Sequence, residues 1–218
     1  MYNGAIPDIT IRRIGKYMRT METLDKKGIT VISSREMGEM LECTSSQVRQ
    51  DLSYFGKYGL QGFGYAVGLL RDDLIHILGA DRGFPAAVVG TDFTGAYLLK
   101  KSVLQKRGLR VVSAFDKTPH NIGRAINGVT VRNIDELPDF VQNTPVLIAV
   151  LCVPPEDAQE TAEKLIANGV KAIWNITGRD LTLPTGIAAE STHLEDSLLS
   201  LAYRLKESQE NEELASGE

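Results

Sequence analysis

No apolar run in the 218-residue chain approaches the roughly 20 residues that a membrane helix needs. The opening residues, MYNGAIPDIT, also lack the basic-then-apolar order of a secretory signal, so a cytoplasmic protein is expected. Cysteine is scarce: Cys43 and Cys152 stand far apart and outside any CxxC spacing, which leaves a disulfide framework or a zinc site without support. Both read as core thiols. Histidine is scarce too, and His76, His120 and His193 lie in separate segments, none of them in a recognisable catalytic motif. An enzyme needs a positioned acid, base or nucleophile, so neither catalysis nor a bound metal is expected.

Positive charge is also in short supply. With 24 Lys and Arg against 28 Asp and Glu the net charge is -4, the wrong sign for a partner whose phosphates must be neutralised. The average conceals an asymmetry: residues 1–80 carry 10 basic and 9 acidic side chains, and the remainder 14 and 19. So mild a contrast permits a nucleic-acid partner at the N-terminus without establishing one. A hydrophobic fraction of 43% is enough to bury one moderate core or two small ones.

What is present organises the chain into two parts, with the pattern changing near residue 80. From Ile9 to Leu24, Ile11, Ile14, Tyr17, Met18, Met21 and Leu24 recur three or four apart and mark the buried face of a helix that Gly28 ends. Ser33 and Glu36 are spaced as a capping box for a short helix from Ser34 to Leu41. Thr44 or Ser45 then caps a third helix, roughly Ser46 to Phe55, with Val48, Leu52 and Phe55 facing inward. The segment GKYGLQGFGYAV follows. Its glycines and the alternation of Phe63, Tyr65 and Val67 predict a two-stranded wing; a flexible linker is the alternative. Residues 71–79 read as a connecting helix.

Beyond DRGFP the texture becomes alternating strand and helix. AAVVG predicts a buried strand, residues 93–107 a helix and LRVVSAFD a second strand, a compact βαβ unit. Further strands are expected at 129–131, VLIAVLCV, KAIWNI and GIAAE, with helices around 135–142 and 156–167, which makes a parallel, doubly wound sheet. THLEDSLLSLAYRLKESQ is amphipathic, with Leu194, Leu198, Leu201 and Leu205 on one stripe. The expected fold is therefore α/β: a winged helix-turn-helix at 1–80, a Rossmann-type domain at 81–191, a terminal helix at 192–208 and a disordered tail at 209–218.

Two sites suggest themselves. In a helix-turn-helix the start of the second helix meets base edges and phosphates, which here means Ser45, Ser46, Gln47, Arg49, Gln50 and Ser53. Gln pairs with adenine and Arg with guanine through two hydrogen bonds each, and hydroxyls suit phosphates. Arg12, Arg13, Lys16, Arg35 and Lys57 supply cations for the backbone, and Ser34, Tyr54, Gly62 and Phe63 complete the surface. A solvated polar face is the alternative open to any surface helix; the two preceding helices and the following ribbon favour DNA.

The second site follows the strand AAVV, where the chain reads Gly90, Thr91, Asp92, Phe93, Thr94, Gly95 and enters a helix. A dinucleotide loop has glycines at its first, third and sixth places. The first and sixth are here, but Asp92 takes the third. Its charge at about 5 Å from a phosphate charge costs about 3 kcal/mol at an effective dielectric near 20. Asp116, ending the second strand, stands where an acid binds the adenosine ribose; a turn cap before Thr118 and Pro119 is the alternative.

The runs IPDITIRRIGKYMRTMETL, VISSREMGEML, SSQVRQDLSYFGKYG and QGFGYAV resemble the DNA-binding domain of the Rex family, bacterial redox-sensing repressors. AFDKTPHNIGRAINGVTV, IDELPDFV, VPPEDAQETAEKLIANGVKAIWN and LLSLAYRL extend the resemblance over nearly the whole chain. It implies a repressor of palindromic operators that releases DNA when NADH replaces NAD. It also implies a homodimer in which the C-terminal helix crosses to the partner in a domain swap, whereas the bland reading makes that helix a core element of its own domain.

Several places depart from the family pattern. Gln50 stands where the family usually has Lys, and Asn175, Ile176, Thr177 and Gly178 replace a loop that reads Asn-Phe-Ala-Pro in relatives. Lys101 and His193 occupy the places of a Tyr and an Asp that steady the closed dimer. A second reading therefore keeps the repressor but removes NADH sensing or substitutes another nucleotide-type ligand such as coenzyme A. A third, a small dehydrogenase or an acyl-CoA ligase subunit, lacks a catalytic motif and room for a substrate domain.

Overall fold

A computed structural model describes residues 6–59 and 63–216. The chain separates into two compact units, Met1–Arg82 and Gly83–Glu218, each with its own apolar core.

In the first unit α1 (Asp8–Lys26) buries Ile14, Tyr17, Met18, Met21 and Leu24 along one face, as their spacing requires. After β1 (Val31–Ile32), the Ser33 hydroxyl accepts from the Glu36 N–H at 3.1 Å while the Glu36 carboxylate accepts from the Ser33 N–H at 2.8 Å, a complete capping box at the start of α2 (Ser34–Met40). The Thr44 hydroxyl accepts from the Gln47 N–H and starts α3 (Ser45–Ser53), whose Val48 and Leu52 enter the core.

The ribbon differs from expectation. Tyr65 and Ala66 form β2, which pairs antiparallel with β1 across the chain, Val31 opposite Ala66 and Ile32 opposite Tyr65. Val67 does not continue an alternating strand: its N–H donates to the Thr30 carbonyl and it opens α4 (Val67–Ile77), so Tyr65 and Val67 are both buried while Phe63 is 77% exposed. Local alternation says nothing about which distant segment a strand pairs with, and Val67, Leu70 and Leu74 carry a helical spacing that begins four residues before the expected helix. Leu60, Gln61 and Gly62, assigned to the wing by sequence, lie outside the described residues.

The second unit is built on a seven-stranded sheet. Its strands are β3 (Phe84–Val89), β4 (Leu109–Asp116), β5 (Ala125–Ile126), β6 (Val129–Asn133), β7 (Ile148–Leu151), β8 (Ala172–Asn175) and β9 (Ala188–Ser191), in the order β5-β6-β4-β3-β7-β8-β9. All pairings are parallel except the short β5–β6 turn. Leaving β5 aside, the order is that of the dinucleotide-binding fold, which reverses direction at β3 and β7 and opens a crevice at their C-terminal ends. Both faces of the strands are apolar, as a doubly wound sheet demands. Val88, Ala114 and Val150 point to one side, under α5 (Phe93–Lys100). Ala87, Val89, Phe115, Ala149 and Leu151 point to the other, under α6 (Leu137–Asn143) and α7 (Ala158–Ala167).

Two helix ends correct the sequence reading. The helix expected over 93–107 stops at Lys100, because Ser102 turns left-handed at φ 50° and Asn127, from the β5–β6 turn, donates to the Leu99 carbonyl at 3.1 Å and to the Ser102 hydroxyl at 3.0 Å. A short 3-10 turn at Gln105–Arg107 completes the connection. At the other end α8 runs Leu194–Ser216, through most of the residues expected to be a disordered tail. Glu, Leu and Ala there are good helix formers, and Lys206 and Glu210 pair one turn apart.

Candidate nucleic-acid interface and nucleotide crevice

On α3 the buried and exposed faces separate cleanly. Val48, Asp51 and Leu52 point inward, while Ser46, Arg49, Gln50 and Ser53, three or four apart, form an exposed row. The Arg49 guanidinium lies across two hydroxyls, donating to Ser34 Oγ at 3.0 Å and Ser46 Oγ at 3.2 Å, and so joins the starts of α2 and α3. Elsewhere in the first unit Arg12, Lys16, Lys57 and Phe63 are exposed, Ser45 is partly buried, and Arg35 pairs with Glu39. Tyr54 is half-buried.

Two residues assigned to the DNA surface are turned elsewhere. Arg13 grips Asp51 through Nε at 2.6 Å and Nη2 at 2.8 Å, and the Gln47 amide donates to the same carboxylate at 2.9 Å. The Tyr17 hydroxyl adds a fourth bond at 2.6 Å. Burial by itself raises the Asp51 carboxyl, but donors from Arg13, Tyr17 and Gln47 outweigh it and hold it below the usual range. Burial and the bond to Asp51 push the Tyr17 phenol up, and the same carboxylate raises Arg13. Asp51, which sequence reasoning passed over, is therefore the internal anchor of α3; an acid in a helix of polar residues gave no signal of burial.

In the second unit the loop from Gly90 to Gly95 runs from the end of β3 into α5 at the crevice. A Cβ on Gly90 would lie 2.5 Å from the Cys152 carbonyl oxygen, and one on Gly95 1.9 Å from the Gly90 carbonyl oxygen. Neither position admits a side chain, which makes the turn tight enough to bring backbone amides to the mouth of the crevice. Asp92 occupies the N-cap of α5 at φ -71° and ψ -120°, with φ outside the left-handed region that would demand glycine. Phe93 and Thr94 are exposed beside it.

Asp116 lies at the end of β4 with its carboxylate buried and saturated. Thr91 donates through its N–H at 2.8 Å and its hydroxyl at 2.7 Å, Asn121 through its amide at 3.0 Å, and Thr118 through its N–H at 2.8 Å. Burial alone raises this carboxyl too; the donors outweigh it and hold it low. The turn-cap role and a place in the crevice wall thus coexist in one side chain. Next to it Lys117 pairs with Asp157, which raises the ammonium, and across the crevice burial pushes the Cys152 thiol up to about 12, well away from a reactive thiolate. Asn121, which no motif pointed to, touches both acids.

Of the residues that depart from the family pattern, the 175–178 loop and His193 are neighbours, the Thr192 N–H donating to the Asn175 carbonyl at 2.9 Å. Lys101 caps the C-terminus of α5. His193 precedes α8, 3.2 Å from Asp180 and 3.8 Å from Glu195. In the 175–178 loop Asn175 is tied inward, accepting from the Thr177 N–H and hydroxyl. On α8 itself Leu194, Leu198, Leu201 and Leu205 are 60–74% exposed. No helix among the described residues is long and apolar enough to cross a membrane.

Comparison with known proteins covers both units. Residues 83–178 match the family described as CoA binding domain, and residues 5–53 the one described as Putative DNA-binding protein N-terminus. The chain is 40% identical over 197 residues to a redox-sensing transcriptional repressor Rex of Caldicellulosiruptor saccharolyticus, covering 90% of each chain. To that of Clostridium beijerinckii it is 41% identical over 199 residues, 91% of this chain and 94% of the relative. Among solved structures, RSP in complex with beta-NAD+ and operator DNA superimposes with a TM-score of 0.87 at 36% identity, over 98% of this chain and 99% of that one. RSP in complex with beta-NADH gives 0.89 at 35% identity, over 97% and 100%.

Proposed function

Because this chain belongs to the Rex family of redox-sensing transcriptional repressors, we propose that its first unit grips palindromic operator DNA and its second reads the NADH/NAD ratio. The observation that carries the DNA reading is the exposed row of Ser46, Arg49, Gln50 and Ser53 on the second helix of a capped helix-turn-helix. Arg49 and Gln50 are the base readers. Ser45, Ser46, Ser53 and the cations of Arg12, Lys16, Arg35 and Lys57 meet phosphates, while Arg13 and Gln47 serve through Asp51. The wing residue Phe63 completes the footprint.

What supports NAD(H) in the second unit is the tight turn that Gly90 and Gly95 permit at the switch point of the sheet. The amides at the start of α5 would face the pyrophosphate, and the wall at Asp116 and Lys117 the adenosine end. When bound, the nicotinamide supplies the redox information through its oxidation state; the chain's own residues bind and orient, and none is called on to catalyse. The protein is thus a cytoplasmic regulator rather than an enzyme. Its domains divide near residue 80, and α8 joins two copies into a homodimer, whose twofold symmetry matches a palindrome.

A mobility-shift titration on a palindromic operator, with and without NADH, tests this reading. Salt-sensitive, sequence-preferring binding that NADH relieves is expected. A purified dimer that prefers no palindrome over random duplex at moderate salt overturns the repressor, and operator binding indifferent to NADH overturns the redox control.

A further inference from the structure

Asn121 is 1% exposed, and its amide is fully engaged. One amide nitrogen, Nδ2, donates to Asp92 Oδ1 at 2.9 Å and to Asp116 Oδ2 at 3.0 Å, while the amide oxygen accepts from Arg124 Nη1 at 3.0 Å. The reverse orientation would aim a carbonyl at two carboxylates and an NH2 at a guanidinium, so the network fixes which way the amide points. Its backbone N–H is tied as well, donating to the Thr118 carbonyl at 3.0 Å.

Asp92 is the N-cap residue of α5, a position where an aspartate carboxylate ordinarily accepts from the second or third amide of its own helix. Here it makes no such bond. The carboxylate is drawn to Asn121 instead, and the first-turn amides, which form the positive end of the helix, are left without this acceptor. We propose that Asn121 is a positioning residue for the crevice: by holding the Asp92 carboxylate off the α5 amides it keeps them available to a dinucleotide pyrophosphate. This rests on the NAD(H) reading above. Without Asn121 the carboxylate is free to cap α5, and an anion already seated on the amides competes with the anionic ligand for the same donors.

The mechanism runs through Asp92, so a double-mutant cycle isolates it. Isothermal titration with NADH is carried out on the full-length wild type, Asn121→Ala, Asp92→Gly and the double variant. Asn121→Ala weakens NADH binding by about tenfold or more in the wild-type background and by no more than about twofold in the Asp92→Gly background. An equal loss in both backgrounds means that Asn121 acts only through Asp116 or through folding, and overturns the inference; so does no loss in either. If none of the four proteins binds NADH, the ligand reading itself fails, an outcome distinct from the other two. Should Asn121→Ala not fold, as a thermal melt will show, Asn121→Ser keeps a polar group at the buried position and takes its place in the cycle.

Discussion

Arg13 on α1 and Asp51 on α3 meet in a forked ion pair, Nε to Oδ2 at 2.6 Å and Nη2 to Oδ1 at 2.8 Å. The fork has a geometric consequence that a single contact lacks. Two parallel bonds fix the rotation of one helix about the other, and Asp51 is followed by Leu52 in the core, so the exposed row on the opposite face of α3 is aimed from below. Tyr17 and Gln47 close the remaining acceptor sites of the carboxylate.

Asp51→Ala therefore removes the common acceptor of three donors. Unfolding in urea should show a loss of about 3 kcal/mol, because Tyr17 and Gln47 lose a bonded partner and Arg13 is left half-desolvated. A loss below about 0.5 kcal/mol would mean that the pair is no stronger than a surface ion pair.

Acid should reveal the same chemistry. Asp51 and Asp116 both titrate below the usual carboxylate range in the folded protein. A carboxyl with a depressed folded value contributes stability that is complete above its unfolded value of about 3.9 and is lost as pH falls through the folded one. Melting temperature should hold steady from neutrality to about pH 5 with respect to these two groups, then fall steeply below about pH 4. Asp51→Asn should flatten that descent; an unchanged acid limb would show that Asp51 does not drive it.

Much of this was legible from residue order, and the rest was hidden for one recurrent reason. The periodicity of α1, the Ser33–Glu36 capping box and the Thr44 cap are local, so their signals sit within a few residues of one another. The strand AAVV and the acid of LRVVSAFD follow from runs of apolar residues that both faces of a sheet require. What escaped depends on partners far along the chain. β2 is defined by β1, the end of α5 by Asn127, the role of Asp51 by Arg13 and that of Asn121 by Asp92. A lone Asn in a loop looks like any turn residue until the fold brings two carboxylates against it.

For the DNA surface, Arg49 and Lys57 should separate. Arg49→Ala should cost about 1–3 kcal/mol on the preferred operator and relax the preference at one base pair. Lys57→Ala should weaken all duplexes alike and reduce the slope of log affinity against log salt by about 1. Anisotropy titrations over a series of single-base operator variants read both effects, and equal loss on every sequence for Arg49→Ala would remove it from base reading.

Asp92→Asn keeps an acceptor for Asn121 while deleting the charge. NADH should then bind about tenfold more tightly or better at low salt, and the advantage should shrink as screening shortens the reach of the carboxylate. Calorimetric titrations at two ionic strengths decide it; identical affinities would place the Asp92 charge too far from the ligand to matter.

The stripe on α8 predicts the behaviour of the assembly. Leu198→Glu together with Leu201→Glu sets two charges among leucines that are otherwise exposed, and sedimentation should show a monomer with operator affinity reduced by about 100-fold or more. A dimer that survives both changes would assign association to another surface.

That leucine-lined helix also makes abundance itself a regulatory variable. In the proposed homodimer a second copy covers Leu194, Leu198, Leu201 and Leu205, which are 60–74% exposed on α8, so the species able to span both halves of a palindrome forms in proportion to the square of the free monomer level. Near that threshold, a twofold fall in synthesis would release operators as surely as a change in nucleotide balance.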